Sequence, residues 1–397
     1  MILVAASTAS ALSISMQSAT AAACAVENTR TRITYVNLAE AVRAAGQRDT
    51  LTVRGACLGP VEIPVSLRLV GGAIAGEPMA TISGDASGPV LSVADHTRLL
   101  VRDILVANGA GGIWSRFNGT GTTVVLRGSS TVSSNPTASG RGIRAQTVRL
   151  GGRATVAGNE TTGDGGGILA TDVYVSGNAV VRDNTASGWG GGIRADTVEL
   201  RGNAEVSGNT SEGGGGISAL RVTLNDSAFV AGNHVVWGGR ERMLFPLHGG
   251  GIAAGFVSLH DQAAVTGNDI GVVIGDEGPE GGYGGGVWAK TFVRMTGSST
   301  VDDNEASRDG GGLFTLGRIV MRDDSSLTGN GAGWGGGIFA ERGAYTVDPK
   351  VTLYDRASVT GNHAYYEWPS IFSAGAVYVC SDEVTISPDP PLTLSCT

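Results

Sequence analysis

A fixed interval constrains this chain more than any other feature. From Val148 onward, a valine-like residue is followed eleven positions later by an asparagine. The pairs are Val148 and Asn159, Val173 and Asn184, Val198 and Asn209, Val222 and Asn233, Val257 and Asn268, Val293 and Asn304, Ile319 and Asn330, Val351 and Asn362. A segment that tolerates no insertion over so many copies must be held by tight turns. After each asparagine the distance to the next apolar anchor varies from 8 to 19 residues, the anchors being Ile168, Ile193, Ile217, Ile252, Val287, Leu313, Ile338 and Val377. The large insertions therefore fall in one corner, apart from segment 341–350, which lengthens the next.

One copy, residues 197–219 (TVELRGNAEVSGNTSEGGGGISA), shows the unit. Two alternating runs, Val198-Glu199-Leu200 and Ala204-Glu205-Val206, precede Asn209; a glycine run and a third short run, Ile217-Ser218-Ala219, follow. Period-2 alternation turns Val198, Leu200, Ala204, Val206, Ile217 and Ala219 to one side. Three short strands in a repeat of about 25 residues predict an all-β, right-handed parallel β-helix. At a strand spacing of ~4.8 Å, roughly twelve coils would span ~55 Å. The asparagines, stacked coil on coil, are expected to form a structural ladder rather than a catalytic one. The glycine runs lack the Lys-Ser/Thr and following helix of a phosphate loop.

The ends differ from the middle. Residues 1–23 carry no charged side chain and end in Ala21-Ala22-Ala23, the pattern of a secretory signal cleaved before Cys24; an acylated Cys24 is the alternative. Within 24–59, the cap, residues 37–45 (NLAEAVRAA) read as a helix with Asn37 as N-cap and Leu38, Ala41, Val42 and Ala45 on its apolar face. Such a helix would lid the first open sheet edge. Residues 60–379 form the β-helix, with looser early strands near 66–70, 90–93, 99–101, 104–106 and 122–126, and 380–397 form a C-terminal cap. The four cysteines sit at the two ends, so disulfides Cys24–Cys57 and Cys380–Cys396 are expected, with localisation secreted or cell-surface. No apolar run is long enough for a membrane helix. The net charge of −8 is spread out and the only lysines are Lys290 and Lys350, which argues against nucleic acid as a partner.

The V-x-x-N runs (Val156–Asn159, Val206–Asn209, Val265–Asn268) alternating with G-G-G-I runs (Gly165–Ile168, Gly190–Ile193, Gly335–Ile338) resemble the repeats of chlamydial polymorphic outer-membrane proteins, with Val for Phe. Region 34–72, with NLAEAV, DTLTVRGACLG and LRLVGG, resembles the N-terminal cap of secreted bacterial pectin-lyase-like β-helix proteins. The first resemblance implies surface display and adhesion. The second implies the β-helix fold.

Chemistry is sought in what departs from the repeat. The outward residue of the glycine-led strand runs Arg144, Leu169, Arg194, Ser218, Ala253, Trp288, Phe314, Phe339 and Tyr378, ending in an aromatic row. Exposed, the row would suit a sugar ring or a protein partner; otherwise the long loops 234–251, 269–286 and 363–374 cover it. Before the glycines a second column reads Asp164, Trp189, His248, Tyr283, Asp309 and Trp334. No metal site or cofactor is expected beyond weak calcium binding at Asp276, Glu277 and Glu280. No catalytic carboxylate pair is evident on the glycine-led face. The expectation is a monomeric, non-catalytic binding or adhesion module for an extracellular polysaccharide or a host or cell-surface protein. The alternatives are a polysaccharide lyase or glycoside hydrolase using the same groove, and a structural spacer.

Overall fold

The computed structural model describes residues 22–387 and 394–395, apart from 73–77, 116–120, 136–139, 237–246, 272–273, 276–277, 280, 344–347 and 369. The expected leader up to Ala21, the calcium candidates Asp276, Glu277 and Glu280, and Cys396 lie outside the described residues. The chain is a parallel β-helix. One face is a 13-stranded parallel sheet of three- and four-residue strands that runs from Ala56–Leu58 to Thr385–Ser387. The regular stacking thus continues past residue 379.

The remaining perimeter is made by a long sheet and a narrow one. In four consecutive coils the glycine-led and valine-led runs fuse into one bent strand: Ile193–Leu200, Ile217–Leu224, Ile252–Leu259 and Val287–Met295. The fixed register stacks Val148, Val173, Val198, Val222, Val257, Val293, Ile319, Val351 and Val377 in one column. The stretch after each asparagine is more ordered than the variable spacing suggests. It opens with a two-residue strand, as in Thr185–Ala186, Thr210–Ser211, His234–Val235 and Asp269–Ile270, stacked as a third sheet. The core is the narrow column of inward residues; Ile217, Val198, Leu200, Ala204 and Val206 are fully buried.

The asparagines form the expected ladder, from Asn159 through Asn184, Asn209, Asn233, Asn268, Asn304 and Asn330 to Asn362. Asn135 extends it by one rung toward the N-terminus. Asn209 shows the economy of the position. Its Oδ1 accepts from the backbone N–H and the Nδ2 of Asn184, both at 3.0 Å. Its Nδ2 donates to Asn233 Oδ1 at 2.9 Å and to the Val181 carbonyl at 3.0 Å. A buried amide with its hydrogen bonds made is stabilising; the same amide unpaired would be costly.

The ladder also explains the glycine triplets. The first glycine (Gly190, Gly214, Gly249, Gly284) has φ between +60° and +72°, a conformation that favours glycine. A Cβ on the third would stand 2.9 Å from an asparagine of the next coil: Gly192 over Asn209, Gly216 over Asn233, Gly251 over Asn268. Asparagine and glycine run are therefore two halves of one packing unit. A further column, at the turn before the 13-stranded sheet, exchanges glycine for aspartate. Asp226, Asp261, Asp323 and Asp355 all have positive φ, and each carboxylate accepts a turn N–H from the coil below.

At the N-terminal end Asn37 caps the helix Leu38–Ala44, accepting from the Ala39 and Glu40 N–H groups at 2.8 and 3.3 Å. The helix buries Leu38, Ala41 and Val42 over the mouth of the core. The first sheet edge itself is covered by another device: Ala25–Asn28 pairs antiparallel with Thr50–Arg54 and with Thr34–Tyr35. Disulfide Cys24–Cys57 ties this strand to the first coil. Cys380 is also disulfide-bonded.

Candidate functional site

The corner around the glycines is where the coils stop being alike. The chain enters it from the short strand after the asparagine and leaves along the glycine-led strand. The residue before the triplet and the outward residue after it therefore flank the same bend. Parallel pairing stacks His248 on Tyr283, Tyr283 on Asp309 and Asp309 on Trp334, while Gly213 separates Trp189 from His248. Asp164 begins the column, and its carboxylate accepts the Trp189 N–H at 2.8 Å. The pre-glycine column is present as the spacing implied.

The outward column is present too, with one correction. It runs Trp114, Arg144, Leu169, Arg194, Ser218, Ala253, Trp288, Phe314, Phe339 and then Phe372. Tyr378 is not in it. Tyr378 pairs with Thr352 in the valine-led strand, where Lys350 Nζ lies 3.9 Å from its ring centroid. The misplacement arises because the last coil lacks the glycine triplet that marks the corner. Ser370 stands where a third glycine stands elsewhere, and Ile371, not Val377, pairs with Ile338.

The two columns mesh into one series of ring contacts. Trp189 lies 6.1 Å from His248; His248 stacks on Trp288 at 4.3 Å and approaches Tyr283 at 5.9 Å. Tyr283 meets Phe314 edge-on at 4.9 Å; Phe314 stacks on Phe339 at 5.6 Å and Phe339 on Phe372 at 4.4 Å. Trp334 stacks instead on Tyr366 at 4.7 Å. Exposure divides the row. Phe314 and Phe339 are buried, at 3% and 9%, whereas Trp189, His248, Tyr283, Trp288, Trp334 and Phe372 are half-buried. The middle of the row is packing, and its ends reach solvent.

Charged groups cluster beside Tyr283. Arg308 lies over its ring, with Cζ 5.4 Å from the centroid, and Arg308 Nε is 3.6 Å from Asp309 Oδ2. Asp309 is only 5% exposed, and its Oδ1 has no hydrogen-bond partner. Burial pushes its carboxyl up to about 6; the Arg308 charge opposes this and the like charge of Glu341, on the next coil, adds to it. Burial also raises the Tyr283 phenol and pushes the His248 imidazole down to about 4, so the ring is neutral at pH 7. His248 Nδ1 likewise lacks a hydrogen-bond partner.

Sequence reasoning placed Asp309 in the column but did not single it out, and it missed Arg308, Glu341 and Phe372. Arg308 and Glu341 had no signal, because neither occupies a repeated position that stands out. Among the described residues no group of His, Cys, Asp and Glu could hold a metal ion. Among them, too, no helix is long and apolar enough to cross a membrane. No protein-family model, curated protein or solved structure matches the chain.

Proposed function

We propose that this chain is a non-catalytic extracellular binding or adhesion module whose site is the glycine corner at Trp189, His248, Tyr283 and Trp288. The observation that carries the reading is the half-buried ring cluster in the one corner where coils differ. Rigid aromatic rings that keep part of their surface in water offer flat apolar contact at little entropic cost. The neighbouring insertions enter at the same corner, as binding loops on rigid scaffolds do. The Cys24–Cys57 disulfide fits a compartment outside the cytosol, and secretion or surface display is part of the proposal. So is the kinship to polymorphic or pectin-lyase-like repeat proteins.

The test is a polysaccharide panel scored both for retention and for release of reducing or unsaturated ends. Retention without product, lost in Trp288→Ala with the fold intact, is the expected result. Unchanged retention in that variant would remove the site. A second reading rests on one pair. Burial raises the Asp309 carboxyl to about 6 and the charge of Glu341 adds to the rise, and a carboxyl raised in this way beside a second carboxylate is the kind of group that serves as general acid in glycoside hydrolysis. Product release abolished by Asp309→Ala would establish that reading in place of binding.

A further inference from the structure

On several outward faces the chain lays a cation of its own over an aromatic ring. Arg149 lies over Tyr174, Arg221 over Phe256, Arg308 over Tyr283, Arg322 over Tyr354 and Lys350 over Tyr378, between 3.9 and 5.4 Å from the centroid. Tyr365 and Tyr366, at 72% and 61%, are more exposed than any of those rings. Among the described residues no lysine or arginine lies over either. The two stand side by side because of an irregularity in the narrow third sheet. Strand Gly331–Trp334 pairs with His363–Glu367, and the register shifts between Ala332 and Trp334, so Tyr365 and Tyr366 both stand opposite Gly333. A bulge of this kind re-aims side chains. Tyr366 stacks on Trp334 at 4.7 Å, and the Tyr365 hydroxyl donates to Glu305 Oε1 at 3.4 Å. Gly331, between Glu305 and His363 in the stack, leaves room for the His363 ring to come within 3.8 Å of Glu305 Oε2. Two carboxylates rim the rings: Glu305, whose side chain is 46% exposed, and the exposed Glu367, in register with Trp334. One coil below, Asp269 is already engaged by His234 Nδ1 at 2.5 Å.

We propose that this surface docks an arginine-bearing segment of a partner protein, with a guanidinium lying on the faces of Tyr365 and Tyr366 and pairing with Glu305. It is a second surface, separate from the glycine-corner reading, which it meets only at Trp334. Two observations choose the occupant. The rings repeat an arrangement that the chain completes elsewhere with its own cations, and cation on ring is favourable in water. The rim is acidic: Glu305 and Glu367 attract a basic segment and repel an acidic one, and the net charge of −8 adds long-range attraction of the same sign. Arginine fits better than lysine, because a planar guanidinium stacks on a ring and presents a fork of donors to a carboxylate. Exposed tyrosine and tryptophan side chains are also what protein interfaces select. A neutral sugar would use the rings and gain nothing from the carboxylate charges.

The experiment is calorimetric titration of the full chain with tetra-arginine, tetra-lysine and tetra-glutamate peptides and with cellotetraose. Tetra-arginine should bind saturably and more tightly than tetra-lysine, and tetra-glutamate should not bind. The double variant Tyr365→Ala, Tyr366→Ala should weaken tetra-arginine about fivefold or more, as loss of two exposed cation–ring contacts does. Glu305→Gln should weaken it about threefold, the worth of an exposed ion pair. Tyr365→Phe keeps the ring and guards against an unfolded variant; it should bind as the parent chain does. Glu160→Gln is the control for charge alone, because Glu160 lies at the far end of the same outward column and is exposed. Equal losses in Glu160→Gln and Glu305→Gln would reduce the effect to general attraction toward an acidic chain and overturn the proposal. Unchanged affinity in the double variant, with its circular dichroism intact, would overturn it too, as would no saturable binding of tetra-arginine. A cellotetraose response lost in the double variant would mark a sugar surface instead and overturn it as well.

Discussion

Asn209 and the Trp189–His248 corner lie in adjacent stretches of the same coils, yet they obey opposite rules. In the asparagine column one residue type fills every coil from 135 to 362, and each amide hydrogen-bonds to the next. In the column before the glycines the residue changes from coil to coil, and two buried polar atoms have no partner. The contrast separates the scaffold from the candidate site. A repeat stabilises itself by satisfying identical groups against identical neighbours. Buried oxygens without a partner also occur in the scaffold turns, at Ser299 and Ser325, so the distinction rests on the residue changes along the column.

The sharpest way to break the comparison is within the ladder. Asn209→Ala removes the side-chain acceptor of the Asn184 backbone N–H, one of three acceptors of the Asn184 Nδ2 and the side-chain donor to the Val181 carbonyl, and should cost about 2–3 kcal/mol. In a stack of this kind the loss should be local. Hydrogen exchange read by mass spectrometry should show faster exchange in the coils on either side of residue 209 and little change near the N-terminal cap. Uniformly unchanged exchange would mean that the ladder is not what holds the corner.

Asp309 should behave in the opposite sense. Its carboxyl titrates at about 6 in the fold against 3.8 ordinarily. Between those values the folded chain keeps a proton that the unfolded chain has released. Stability therefore falls as pH rises through that window, reaching a deficit of about 3 kcal/mol above pH 6. Burial is the main cause of the rise; Arg308 opposes it and Glu341 adds to it. Asp309→Asn should raise stability by about 2–3 kcal/mol at pH 7.5 and by almost nothing below pH 4, as read by urea denaturation. A destabilised variant at pH 7.5 would show that the carboxylate is satisfied after all.

His248→Phe tests the second orphan. An apolar ring of similar shape removes the buried unpaired nitrogen and should stabilise by ~1 kcal/mol or less, because trading an unsatisfied polar group for an apolar one is neutral to favourable. Loss of glycan binding in the same variant would join the stability gain to the functional cost. The smallest effect belongs to Tyr378→Ala. With its ring engaged by Lys350 and outside the aromatic row, its removal should cost about 0.5–1 kcal/mol and leave ligand retention unchanged.

The same contrast explains what could be read from sequence. The fold was legible because the repeat writes each constraint many times: Val198, Asn209 and Gly216 each recur in fixed register, and each has one job in the stack. The exchange of Gly202 for Asp226 at a left-handed turn was equally available, since both residues tolerate positive φ. The last coil was misread because Ser370 replaces the glycine that marks the corner, and that carried Tyr378 into a row it does not join. The site was only half legible. Trp288 and Tyr283 stood out as aromatics at variable positions. The state of Asp309 depends on its burial, on Arg308 one residue before it and on Glu341 a coil away, and no periodicity encodes such a meeting.

The most direct test is hydrogen exchange of the full chain with and without a polysaccharide fragment that the panel retains. Protection confined to residues 187–191, 247–252, 282–288 and 308–314 is the predicted result, with the asparagine turns and the 13-stranded face unchanged. Protection on the valine-led strands around Thr352 and Tyr378, or spread evenly over the coils, would contradict the assignment of function to the glycine corner.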